Sequence, residues 1–366
     1  MAVWTNTHIL PLGTRGIPIG IFDEFTNMVV FNNYIWFVSC RDKEMLQFNP
    51  GNYEIKKFNI GILNRYHDET YLTKSGNMLY ILGYDGITEY PVTYKTYQFN
   101  PETGETTDFF DFPCYKMNGP PQERNGLIYA LDERDEKYSL LKIDLATKTI
   151  ERTELNLKEC DNIILPIRRV HLLMKHGKLY LFDNRGNIRV VYLIDDNNQL
   201  HQLSSANFEN TTEFLEITWI DDSLVFHPVD PRSTDWLVET YDFEKHTWRR
   251  SKTIGRFQHV SVDDQIAAVK IGDTIVALVL AVLDDIYRPR WMISLLELKP
   301  TLTDICLLNM AKEVSEENSK ENMLKCVPIG LTKRLENLID HRDWKPVPLT
   351  RDSSWFTIYH SLNESW

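Results

Sequence analysis

The chain is poor in the features that announce membrane insertion, nucleic-acid binding or the common catalytic chemistries. Its longest apolar run, Ile275 to Leu283, is too short to cross a bilayer as a helix. Positive charge is scarce: 40 Lys and Arg against 52 Asp and Glu leave a net charge of −12. A phosphate backbone therefore meets no general basic surface, and nucleic acid is excluded as the main partner. The five cysteines (Cys40, Cys114, Cys160, Cys306 and Cys326) are an odd number without CxxC or CxxH spacing. That pattern fits reduced thiols in a cytosolic or nuclear protein better than a disulfide framework or a zinc site. Met1 to Leu12 has no basic start, and Thr5, Asn6, Thr7 and His8 interrupt its apolar residues, so no secretory leader and no membrane anchor are expected.

Catalytic signatures are also missing. There is no Gly-x-Ser-x-Gly, phosphate-binding loop, His-Glu-x-x-His or EF-hand pattern. The acidic pairs Asp221-Asp222, Asp263-Asp264 and Asp284-Asp285 sit between strand patterns, where solvated turns place them. His171, His227 and His259 fall near strand ends, and packing or hydrogen bonding accounts for them more simply than a metal does. The chain is expected to be non-enzymatic, with no cofactor and no metal.

What the chain does have is a repeated strand pattern, clearest from Leu79 to Phe109. Leu79, Ile81 and Gly83 alternate with Tyr80, Leu82 and Tyr84, the period of a pleated strand. Tyr94 to Phe99 is a second β-prone run. Asn100-Pro101-Glu102-Thr103-Gly104 is turn chemistry, and Glu105 to Phe109 returns as a third strand. Equivalents of the first run begin at Ile35, Leu127, Leu179, Leu224 and Ile275; those of the second begin at Leu46, Leu141, Val191, Glu239 and Ser294. Successive anchors lie 44 to 55 residues apart, the period of four-stranded propeller blades. The expected fold is all-β: a six-bladed propeller over residues 1–299, a small α-helical segment over 300–342 and an aromatic tail over 343–366. The third blade is the least regular, because Asn118-Gly119-Pro120-Pro121 stands where an innermost strand belongs. The sixth is one strand short, and Thr7 to Leu12 is the expected donor.

Tyr241-Asp242 followed by Trp248, together with the LYILG run, resembles kelch repeats over roughly residues 19 to 299, with the kelch double glycine reduced to Gly83 alone. WD40 repeats fit less well, since no Gly-His…Trp-Asp pair recurs at blade spacing. From Pro300 the period becomes helical: Thr301 and Asp304 form a capping box, and Leu302, Ile305, Cys306, Met310 and Val314 share one face. This segment resembles a BC box, the Elongin C-binding element of suppressor-of-cytokine-signalling and von Hippel–Lindau type proteins. Thr301, Leu302 and Cys306 match that pattern, while Met310 departs mildly from its aliphatic position. Downstream, Val327, Pro328, Leu331 and Leu335 resemble a cullin box of the cullin 2 class; Val327 and Gly330 miss the outer positions of the cullin 5 class.

The resemblance implies a substrate receptor for a cullin–RING ubiquitin ligase, with Elongin B/C and cullin 2 as partners and a protein or peptide as client. Arg65, Arg124, Arg168, Arg169 and Arg256 are expected just ahead of innermost strands, facing the funnel. There they would hold a carboxylate by guanidinium forks. One alternative is a propeller scaffold whose C-terminal helices only stabilise it. A galactose-oxidase- or sialidase-type enzyme is disfavoured by the missing motifs.

Overall fold

The computed structural model describes residues 2–9, 27–39, 43–51, 54–61, 67–85, 92–135, 137–157, 168–185, 188–207, 218–220, 224–228, 236–254, 267–272, 274–282 and 289–297. Beyond these it describes positions 306, 310, 324–325, 327–328, 331–332 and 335–336. The fold is an all-β propeller. Four sheets stand as separate four-stranded antiparallel blades. The first holds β2 (Val29–Phe31), β3 (Tyr34–Ser39), β4 (Glu44–Phe48) and β5 (Ile55–Asn59). The second holds β6 (His67–Ser75), β7 (Met78–Asp85), β8 (Val92–Phe99) and β9 (Thr106–Cys114). The third holds β10 (Gln122–Arg124), β11 (Leu127–Arg134), β12 (Lys137–Asp144) and β13 (Thr149–Leu155). The fourth holds β14 (Arg168–Lys175), β15 (Lys178–Arg185), β16 (Ile188–Ile194) and β17 (Leu200–Asn207).

Where two more separate blades were expected, the remaining strands form one eight-stranded sheet. It contains β18 (Thr218–Ile220), β19 (Leu224–Pro228), β20 (Trp236–Asp242) and β21 (Thr247–Ile254). It continues through β1 (Ala2–Ile9) to β24 (Pro289–Glu297), β23 (Thr274–Val282) and β22 (Ala267–Ile271). The two halves fuse because β1 lies antiparallel to β24, from Val3 opposite Glu297 to Ile9 opposite Met292, and also meets β21 in parallel at Ala2 and Val3. The N-terminal segment thus pairs from Val3 onward rather than from Thr7, and Leu10 to Leu12 lie outside the described residues.

First strands adjoin one another around the ring: β2 neighbours β6 and β22, β10 neighbours β6 and β14, and β18 neighbours β22. The core lies in the seams between sheets. Trp36, Met45, Ile81 and Phe99 fill the first seam, Leu82, Tyr94, Phe112 and Leu141 the second, and Leu131, Leu140, Val170 and Leu181 the third. Strand alternation makes this possible, since opposite faces of one sheet feed neighbouring seams; β3 buries five of its six residues.

The outer hairpin turns share one device. Asn49, Asn100, Asp144, Asp195 and Asp242 each accept, on the side-chain oxygen, a bond from the amide two residues on, at 2.8–3.1 Å. This is the short polar side chain standing in for a backbone turn. Each such turn in the second, third and fourth sheets rests on the outermost strand of the sheet before it. Gly104 lies against Phe58, Lys148 donates to the Phe109 carbonyl at 2.9 Å, and the Asn198 amide donates to Thr153 Oγ1 at 3.1 Å.

One local expectation is corrected. The third sheet does have an innermost strand, β10, squeezed into three residues after Pro121. Leu335, expected on a cullin-binding face, is completely buried. The expected helical segment falls largely outside the described residues, and the 343–366 tail wholly so. Among the described residues no helix is long and apolar enough to cross a membrane.

Candidate functional site

Each innermost strand has two ends, and these decide which arginines share a site. At one end the chain enters from the preceding sheet; at the other it turns into the second strand. Arg168 and Arg169 open β14, opposite Arg185 and Asn184 at the end of β15. Arg124 closes β10, against the turn in which Asn125 and Gly126 have φ of 54° and 82°. The Gln122 side-chain oxygen accepts from the Met174 amide at 3.2 Å, which levels β10 with the far end of β14. Met174 is six residues beyond Arg168, roughly 20 Å along an extended strand. Arg124 therefore does not lie ahead of its strand and does not join Arg168 and Arg169. It faces exposed Asp196 across 3.6 Å. Arg65 and Arg256 lie outside the described residues.

The entry end of the third sheet carries a group that the repeat pattern did not reveal. Asp132, 2% exposed, accepts at Oδ1 from the Tyr115 amide at 2.7 Å, the Lys116 amide at 3.1 Å and the Cys114 thiol at 3.3 Å. Its Oδ2 meets Arg152 at 2.7 Å. One carboxylate thus pins the chain leaving the second sheet to the end of the third. Above it, Tyr115 lies between two guanidinium groups: Arg134 stands 4.4 Å from the ring centroid and donates to the hydroxyl at 2.7 Å, and Arg152 lies 5.5 Å from the centroid. Lys116 pairs with Glu133 at 4.0 Å, and Arg134 with Asp135 at 3.4 Å. The cluster is charge-balanced and reads as an ordered polar surface.

Of the histidines, His171 is on β14 with Gly119 alongside; a Cβ on Gly119 would come within 3.0 Å of the His171 ring, and φ of +80° suits glycine there. His227 is on β19, and His259 lies outside the described residues. Among the described residues no three His, Cys, Asp or Glu side chains gather as a metal-binding group. In the seam beyond the fourth sheet, Tyr241 packs with Phe182, Phe243 and Trp248. Burial pushes its hydroxyl up to about 12.

After residue 300, Cys306 is helical and exposed, and Met310 is helical and half-buried; Leu302 and Ile305 lie outside the described residues. Pro328 is exposed, Val327 and Leu331 are half-buried, and the Leu331 amide donates to the Pro328 carbonyl at 2.8 Å.

No protein-family model and no curated protein matches the sequence. Solved structures resemble it in shape alone. A Bacteroides thetaiotaomicron protein of unknown function is 12% identical over 75% of this chain and 70% of its own, with a TM-score of 0.47. The PQQ-bound aldose sugar dehydrogenase of Streptomyces coelicolor is 8% identical over 80% and 98%, with a TM-score of 0.45. Likeness at this level transfers no substrate or activity.

Proposed function

We propose that the chain is a non-catalytic substrate receptor. A six-bladed, kelch-like propeller captures a peptide degron, and a C-terminal BC box and cullin box hand the client to an Elongin B/C–cullin 2 ubiquitin ligase in the cytoplasm or nucleus. The blade count takes the halves of the eight-stranded sheet, β18–β21 and β22–β24 with β1, as two further blades. The observation that carries the reading is Cys306: a helical position, exposed, four residues after Leu302 and four before Met310. A groove-docking helix must offer its central small anchor to the partner. A helix that merely capped the propeller would bury a free thiol, which is among the most buried side chains in proteins.

Seating Leu302 in a partner pocket contributes about 2 kcal/mol, roughly thirty-fold in affinity. Leu302→Ala combined with Cys306→Phe therefore abolishes co-purification of Elongin B/C while leaving the circular dichroism of the propeller intact. Undiminished co-purification refutes the box. The scaffold reading draws support from buried Leu335. If the C-terminal helices only stabilise the fold, Leu335→Ala lowers the melting temperature and wild type brings down no Elongin B/C.

A further inference from the structure

Two Asn-Gly dipeptides occur in the chain, Asn118-Gly119 and Asn125-Gly126, and the fold treats them in opposite ways. Such a dipeptide is labile because glycine has no side chain to shield its nitrogen, which closes a five-membered ring on the asparagine carbonyl carbon. Asn118-Gly119 is half-buried. The Asn118 side-chain amide donates to Glu133 Oε2 at 2.8 Å, and the His171 ring stands against Gly119. Asn125-Gly126 is the two-residue turn between β10 and β11, exposed at both positions. A Cβ on Gly126 would meet nothing within 4 Å. Both residues have positive φ, 54° and 82°, the backbone that so tight a hairpin requires. One contact restrains the turn: the Gly126 amide donates to Glu123 Oε1 at 2.8 Å.

We infer that the β10–β11 turn is a self-modification site, where Asn125 converts to aspartate and isoaspartate at a rate set by Glu123. The Gly126 nitrogen attacks Asn125 Cγ and gives its proton to solvent base. The side-chain nitrogen takes a proton back and leaves as ammonia. Water then opens the cyclic imide at one carbonyl or the other, giving aspartate or isoaspartate. Glu123 opposes the first step in two ways. Its hydrogen bond fixes the peptide plane between Asn125 and Gly126, which ring closure must rotate. Its carboxylate also stands 2.8 Å from the nitrogen that must lose a proton, and a neighbouring negative charge disfavours the anionic form. Isoaspartate adds one methylene to the main chain of a two-residue turn, which disturbs the register of β10 against β11. Either product places a new carboxylate next in sequence to Arg124, whose guanidinium faces Asp196 at 3.6 Å.

The test is incubation of the full chain at neutral pH, followed by digestion at low pH and mass spectrometry of the peptides. Isoaspartate is counted separately by methyl transfer from an isoaspartate-specific methyltransferase. Amide-to-acid exchange is expected at Asn125, slower than in the urea-unfolded chain, while Asn118 stays intact as long as the chain is folded. Glu123→Ala speeds exchange at Asn125 roughly tenfold, as when one nearby charge ceases to oppose ionisation. Asn125→Gln abolishes it. Asn118 reports global unfolding. If Glu123→Ala converts Asn118 as well, Glu123→Gln, which keeps the acceptor without the charge, is measured instead and speeds Asn125 alone. Exchange at Asn125 no faster than at Asn118 in the folded wild type overturns the site. Equal rates in the folded and urea-unfolded chain, or in wild type and the Glu123 variant, overturn the restraint by Glu123. Exchange without any methyl-accepting product overturns the isoaspartate assignment.

Discussion

Replacing Asp132 tests whether one carboxylate organises the passage from the second sheet to the third. Asp132→Asn keeps the shape and an acceptor for the Tyr115 and Lys116 amides, but turns the 2.7 Å contact with Arg152 into donor against donor. The loss is one hydrogen bond to a charged group, roughly 1.5–3 kcal/mol. Asp132→Ala also strands both amides and opens a void beside Cys114. Its total should reach about 3–5 kcal/mol, the cost of breaking a buried charged arrangement by removing one partner. Arg152→Ala serves as the third arm: it leaves the two amides bound but exposes Oδ2 to an empty side, and falls between the other two. Guanidinium unfolding followed by tryptophan fluorescence reads all three as midpoint shifts at an unchanged slope. Equal losses for Asn and Ala would show that the two amides gain nothing from the carboxylate. A loss under about 0.5 kcal/mol for Asn, the scale of an ordinary surface change, would refute the organising role altogether.

Gly104→Ala places a Cβ 2.8 Å from the Phe58 ring at φ of +77°, so it should cost at least the 1–2 kcal/mol of the left-handed backbone, about; adding Phe58→Leu recovers the overlap share in a double-mutant melt. Deleting residues 2–9 uncovers the β24 edge and should lower the melting temperature markedly, with partial recovery on adding the Ala2–Ile9 peptide. Tyr241, pushed up to about 12 mainly by burial, holds its proton more tightly folded than unfolded. Its contribution is full below pH 10 and is lost as pH rises toward 12, by no more than about 2 kcal/mol; Tyr241→Phe should flatten unfolding free energy over that range.

Much of the architecture was legible because the repeat is written in turn chemistry. The side chains of Asn49, Asn100, Asp144, Asp195 and Asp242 each close an outer hairpin, and alternating apolar residues flank each one. Counting strands pointed to the N-terminal segment, since the last unit ran out of chain before Pro300. The fused eight-stranded sheet was not legible: the parallel contact of Ala2 and Val3 with β21 joins strands that no local pattern relates. Nor was Arg124's position, because β10 is three residues long and a shift of a few residues moves an arginine from one end of the strand to the other. The group around Asp132 escaped notice because its members come from β9's exit, β11 and β13, and only the register of the third sheet brings them together.

The pairing of β1 with β24 also has a temporal side. Val3 leaves the ribosome almost three hundred residues ahead of its partner Glu297. At synthesis rates of 5–20 residues per second the wait is roughly 15–60 s. Throughout it, Ala2–Ile9 is a strand without a sheet while the first four sheets, each local in sequence, can form. Pairing of β1 with β24 therefore cannot precede translation of β24, and slowing the ribosome after β17 should lengthen the window in which β1 is open to proteases and to chaperones.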